Sequence, residues 1–138
     1  MGKTVREVMT AKPSTVEAGT AIAEAATIMK REDIGSVPVV EDGRLAGILT
    51  DRDIVLRVVA EGRDARSITC GEIASRQIAT IDPGQSIDEA RRLMAQYQVR
   101  RLPVTEEDGK LVGIVAQADV VRAEDPSKAG EMVEEISR

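Results

Sequence analysis

The sequence predicts a mixed α/β (α+β) fold: two copies of one β-α-β-β-α unit, each a small mixed sheet covered by helices. Three observations carry this. The chain repeats itself at a nearly constant spacing, each copy runs through helical and strand-like apolar periodicity in the same order, and both copies place the same turn signal between their strands.

The repeat is direct. Shifted by 65 residues, Glu7, Thr15, Gly19, Ile22, Glu24, Ala25, Met29, Pro38, Val39 and Glu41 fall on identical residues, from Glu72 and Thr80 through Val104 and Glu106. One residue is inserted in the following turn. At a shift of 66, Asp42, Gly43, Leu45, Gly47, Ile48, Asp53 and Val55 then match Asp108, Gly109, Leu111, Gly113, Ile114, Asp119 and Val121. A polar linker, Glu61 to Thr69, joins the copies. The expected division is a first repeat at 4–60, a second at 68–124 and a tail at 125–138. In the tail, Met132, Val133 and Ile136 share one side of a short helix.

Within the first copy, Thr15-Val16 reads as a short extended piece leading to Gly19. Ile22, Ala25, Ala26 and Met29 then recur at helical spacing. Their counterpart opens with "SIDE", Ser86 to Glu89, a capping-box pattern. "SVPVV" and "LAGILT" read as strands joined through Asp42-Gly43, a hairpin signal repeated at Asp108-Gly109. Pro38 and Pro103 read as edge-strand punctuation. "DRDIVLRVVA" closes the unit as a helix with Ile54, Val55 and Val58 inward. A unit of about 60 residues buries only about 60 percent of its unfolded surface. Two such units are therefore expected to stack sheet to sheet as a pseudo-twofold module with two related clefts.

Composition narrows the function. One Tyr, no Phe and no Trp leave the core to Val, Ile, Leu, Ala and Met. A net charge of −5 argues against a nucleic-acid partner, since phosphate backbones reward a basic face. The single cysteine, Cys70, placed in the linker, excludes an internal disulfide and fits a reducing cytosol. No apolar run reaches membrane-spanning length, so a soluble cytoplasmic protein without membrane association is expected. There is no His, no P-loop and no cysteine with a partner base, which speaks against an enzyme and a metal site.

The chemistry concentrates at "GILTDRDIV", Gly47 to Val55, where a strand meets a helix. Thr50-x-x-Asp53 fits a capping box. It also fits a nucleotide grip, because a helix start offers N–H groups to phosphate and a nearby carboxylate accepts the vicinal hydroxyls of a ribose. In the second copy Ala116 replaces Thr50 while Asp119 remains, so half the cap is lost and the carboxylate kept.

The duplicated "GSVPVV…LAGILTDRDIV" and "VRRLPV…LVGIVAQADVV" resemble a tandem pair of CBS domains, a Bateman module. The resemblance runs from about Val5 to Arg122 and is to the small stand-alone CBS-pair proteins of bacteria, including the hypoxic-response type. The family pattern Gly-hydrophobic-x-Thr/Ser-x-x-Asp is complete at Gly47, Ile48, Thr50 and Asp53. It is partial at Gly113, Ile114 and Asp119.

The resemblance implies a regulatory module that binds adenine nucleotide (AMP, ADP or ATP) without a required cofactor, and a homodimer that signals to a regulated protein. It implies a preferred cleft of Ile48, Thr50, Arg52, Asp53, Ala79, Thr80, Val99, Arg100 and Arg101. A second cleft would use Ser14, Thr15, Ile34, Gly35, Ser36, Ile114, Ala116 and Asp119. Arg100 and Arg101 point to opposite faces of a strand. With Arg91 and Arg92 they form either a solvated basic patch or a phosphate clamp. The alternative function is a ligand-free structural module that dimerises and binds another protein.

Overall fold

The computed structural model describes residues 3–124, and the helix expected around Met132, Val133 and Ile136 lies outside the described residues. In chain order the elements are α1 (Val5–Val8), β1 (Thr10–Ala11), β2 (Val16–Glu17), α2 (Ile22–Glu32), β3 (Ser36–Glu41), β4 (Arg44–Thr50) and α3 (Asp51–Ile54). A π-helical turn (Val55–Val59) follows, then α4 (Cys70–Ile73), α5 (Ile87–Tyr97), β5 (Arg101–Thr105), β6 (Leu111–Ala116) and α6 (Gln117–Glu124). The described residues form two compact units, one of residues 14–78, the other of residues 3–13 together with 79–124.

In the first unit β2 runs parallel to β3, and β3 pairs antiparallel with β4. The β3–β4 connection is the expected tight turn: Asp42 and Gly43 both take positive φ, at 53° and 78°. That combination matches the right-handed twist of the flanking strands. On the far side of β4, Ser75 pairs with Ile48 through two backbone hydrogen bonds of 2.9 and 3.0 Å. Val16, Ile22, Ala25, Met29, Val37, Val39, Leu49 and Val58 form the core with Ile68, Cys70 and Ile73.

The second unit repeats this plan with its own residues. β5 pairs antiparallel with β6, and β6 pairs with β1, Thr10 opposite Ile114. Ile81 makes the parallel bridge to Val104 that Val16 makes to Val39 in the first unit. Val5, Ile81, Ile87, Ala90, Met94, Leu102, Val104, Val115 and Val120 form its core. The aliphatic core expected from the composition is what both units contain.

The matching glycines have a steric reason. A Cβ on Gly47 would lie 2.6 Å from the Ser75 carbonyl oxygen, and one on Gly113 would lie 2.9 Å from that of Thr10. In each unit a neighbouring backbone crosses the strand there, and only glycine leaves room.

Several local expectations are corrected. The segment after Asp53 stays α-helical for one turn and then widens: the amides of Ala60 and Arg63 reach back five residues to the carbonyls of Val55 and Val58. One extra residue in a turn rotates the following side chains by about 100°. Val58 alone is buried, Ile54 is half-buried, and Val55, expected inward, is 53% exposed. Pro38 lies in β3, the middle strand, rather than at an edge. The capping box at "SIDE" is half made: Ser86 accepts the Glu89 amide at 3.1 Å, but the Glu89 carboxylate turns to Arg92.

Cys70 is not a linker residue. It opens α4, is fully buried in the first core, and burial pushes its thiol up to about 11. A raised folded-state value favours folding while the thiol is neutral in both states, and the benefit is lost as pH climbs from about 9 to about 11. Urea midpoints are expected to fall across that window, and Cys70→Ala is expected to flatten this part of the profile. Native Cys70 is expected to resist thiol reagents at pH 8 until denaturant is added.

Gly47→Ala and Gly113→Ala are each expected to cost about 1–3 kcal/mol, read as a lower urea midpoint. Gly19→Ala meets nothing within 4 Å and is expected to change stability by less than about 0.5 kcal/mol.

Candidate functional site

In the first unit the end of β4 runs straight into α3. Thr50 is the last strand residue, and its hydroxyl accepts the Asp53 amide at 3.0 Å while its own amide donates to Asp53 Oδ2 at 3.0 Å. The capping reading is therefore correct in full. It consumes one carboxylate oxygen, because Oδ1 of Asp53 accepts no hydrogen bond among the described residues. Asp53 and Thr50 are both half-buried, and Arg52 stands exposed beside them.

The segment from Ile34 to Ser36 comes alongside this junction. Ser36 pairs with Thr50 across the two strands, and the Gly35 carbonyl accepts the Asp51 amide at 2.9 Å. A left-handed residue, Asp33 (φ 55°), ends α2 and turns the chain into this position. Within the first unit the structure thus brings Ile34, Gly35, Ser36, Thr50, Arg52 and Asp53 to one corner. Ser14 donates to Glu32 at 2.5 Å, and Thr15 leads directly into β2. Ile48 sits half-buried, paired across to Pro38.

The second unit reproduces the corner with different side chains. Gln98 (φ 56°) ends α5 in the same left-handed conformation, and the Arg100 carbonyl accepts the Gln117 amide at 2.8 Å. Arg101 pairs with Ala116. The junction keeps half its cap: the Ala116 amide donates to Asp119 Oδ2 at 2.8 Å. Asp119 therefore has a backbone task even without its hydroxyl partner, so its retention in the second copy is explained locally. Ala79 is half-buried, and Thr80 is exposed just before Ile81.

The arginines divide as expected for a strand start. Arg100, with Val99, lines a cavity of about 430 Å³ between α5 and α6, and Arg101 does not. Neither Thr80 nor Asp119 lines it either. Arg91 and Arg92 form no open basic patch: Arg91 pairs with Asp88 and Glu124, and Arg92 with Glu89. The Arg92 guanidinium holds the Glu89 carboxyl below its ordinary value.

Sequence reasoning missed the exposed apolar strip on the π-helical turn, where Val55, Leu56 and Val59 are 53%, 45% and 65% exposed. A helical period places Val55 inward, and nothing in the residue pattern announces the wider turn. Among the described residues no three His, Cys, Asp or Glu side chains gather to hold a metal, and no helix is long and apolar enough to cross a membrane.

Against known proteins, the CBS-domain family matches residues 5–60 and 70–125. The CBS domain-containing protein YhcV of Bacillus subtilis is 45% identical over 116 residues, covering 84% of this chain and 81% of its own. The structure of Hypoxic Response Protein I with two coordinated zinc ions shares 42% identity at a TM-score of 0.80, over 87% of this chain and 98% of its own. CBSX2 of Arabidopsis thaliana, solved in complex with AMP, aligns at a TM-score of 0.79 and 26% identity, over 92% of this chain and 99% of its own. The family match falls on both halves of the chain and the solved relatives superpose over nearly all of it: the chain belongs to the CBS-domain family and carries the domain twice in tandem.

Proposed function

We propose that this CBS pair is a non-enzymatic sensor of adenine nucleotide, of the AMP, ADP or ATP class, with Asp53 as the acceptor for ribose. The observation that carries the reading is the free Oδ1 of Asp53, held in place by a cap that occupies only Oδ2. A carboxylate fixed in this way accepts a vicinal diol without rearranging. The Thr50 hydroxyl and exposed Arg52 stand beside it for phosphate. A relative that binds AMP supports the ligand class.

The preferred site takes Ile48, Thr50, Arg52 and Asp53 from the first repeat, with Ala79, Thr80, Val99, Arg100 and Arg101 from the second. The other set, Ser14, Thr15, Ile34, Gly35, Ser36, Ile114, Ala116 and Asp119, forms a related site of lower quality. Adenine would use the apolar strand residues of this set, since apolar side chains exclude water from its faces. Homodimerisation accompanies this reading and uses the exposed strip of Val55, Leu56 and Val59, whose burial supplies the driving force.

AMP at 100 times its dissociation constant is expected to stabilise the fold by about 2.7 kcal/mol, seen as a raised thermal midpoint. Asp53→Asn keeps an oxygen for the Thr50 amide but loses the charge, and is expected to weaken AMP binding by about tenfold or more. Absence of a shift with AMP, ADP and ATP would sink the proposal. Val59→Glu is expected to convert a dimer to monomer in sedimentation velocity. An unchanged assembly would remove the strip from the interface.

A further inference from the structure

The two repeats share a backbone corner but not the state of its carboxylate. We infer that Arg122 pins Asp119 and makes the second nucleotide site subordinate to the first, an inference that rests on the ribose reading of these aspartates. Oδ2 of Asp119 accepts the Ala116 amide at 2.8 Å, and Oδ1 accepts Arg122 Nη1 at 3.2 Å. Both oxygens are therefore engaged, and the charge is met by a guanidinium one turn along α6. In the first repeat the residue at the position of Arg122 is Leu56, which can do neither. Asp53 makes no ion pair among the described residues, since Arg57, the next basic residue along, instead donates to the Ile73 carbonyl.

The consequence is competition. A ribose that docks on a carboxylate needs lone pairs for its two hydroxyl donors, and an oxygen that accepts no other bond offers two. At Asp53 one oxygen is open. At Asp119 the same approach meets the Arg122 guanidinium, already donating and already neutralising the charge that would strengthen the new bonds. The Asp119 side chain is 17% exposed and the Arg122 side chain that donates to it 55%. The pair is a surface i, i+3 contact, so it is displaceable, and nucleotide at high concentration removes it. The chain then fills in sequence: the Asp53 site first, the Asp119 site at higher ligand concentration. The second step is set by a side-chain latch, not by a change of fold.

Titration calorimetry of the full chain with AMP tests this. The unaltered protein is expected to show one tight event per chain and a second at least about tenfold weaker, the effect of one charge-assisted hydrogen bond. Arg122→Leu, which copies the first repeat, is expected to tighten the second event about tenfold and leave the first unchanged. Arg122→Gln serves as a second test and is expected to change the second event in the same direction. Asp53→Asn is expected to remove the tight event, and Asp119→Asn the weak one. Two equal events in the unaltered protein overturn the inference while leaving the ribose reading intact. So does an unchanged or weakened second event in both Arg122 variants, which would make Arg122 neutral or a ligand contact. Failure of AMP to bind the unaltered chain and both variants overturns the ribose reading and this inference together.

Discussion

A carboxylate one turn into a helix holds the amide of the last strand residue, and it does so twice. The Asp53–Thr50 and Asp119–Ala116 contacts, 3.0 and 2.8 Å, fix the angle at which each strand passes into its helix. That angle determines what lies beside the junction. In each unit the segment leaving the preceding helix delivers a carbonyl, from Gly35 or Arg100, to the first helical amide. Strand and helix are thus tied at one corner by an aspartate carboxylate on a main-chain amide, and the incoming segment by a main-chain bond that does not depend on side-chain identity. The corner is a structural joint first. What the joint leaves unused is one oxygen of Asp53.

This ordering explains why so much of the fold was legible and why parts of the site were not. The duplication is written in residues with backbone duties: Gly47 and Gly113 under a crossing chain, Asp42-Gly43 in a left-handed turn, Ile22, Ala25 and Met29 on a buried stripe. Such duties leave fixed residue types at fixed spacing. The π-helical turn at Val55–Val59 has no such marker, because the same valines suit either face of a regular helix. Cys70 was misplaced for a related reason. A polar linker precedes it, and long-range backbone pairing brings its segment into the first core: Cys70 to Thr20, Gly71 to Ala18, Thr69 with Ala21 and Ser75 with Ile48.

Sequence spacing identified Thr50 and Asp53 as a capping pair and could not apportion their oxygens. Capping and ligand binding draw on the same atoms, and a pattern of residue types cannot say which lone pairs remain. Nor could it show that Asp119 retains a cap through Ala116, whose amide does not depend on side-chain identity. The arginine pairs illustrate the same limit. Arg91, Arg92, Arg100 and Arg101 look alike as a basic cluster, yet the first two are spent on acidic neighbours along α5 and at the end of α6.

Divergence between the repeats follows from that division of labour. Substitutions at Thr50/Ala116, Gly35/Arg100 and Leu56/Arg122 leave the main-chain joint unchanged, because none supplies its amide or carbonyl through a side chain. Each changes only what surrounds the carboxylate: a hydroxyl lost, a cation added, an apolar neighbour replaced by a guanidinium. Copies of one joint can therefore drift apart around the carboxylate at modest cost in stability: the hydroxyl cap that Ala116 lacks is typically worth about 1 kcal/mol, while an exposed change such as Leu56/Arg122 shifts folding free energy by about 0.5 kcal/mol or less. A shared fold with unequal sites is the expected product of duplication whenever the backbone carries the architecture and the side chains around it are free to vary.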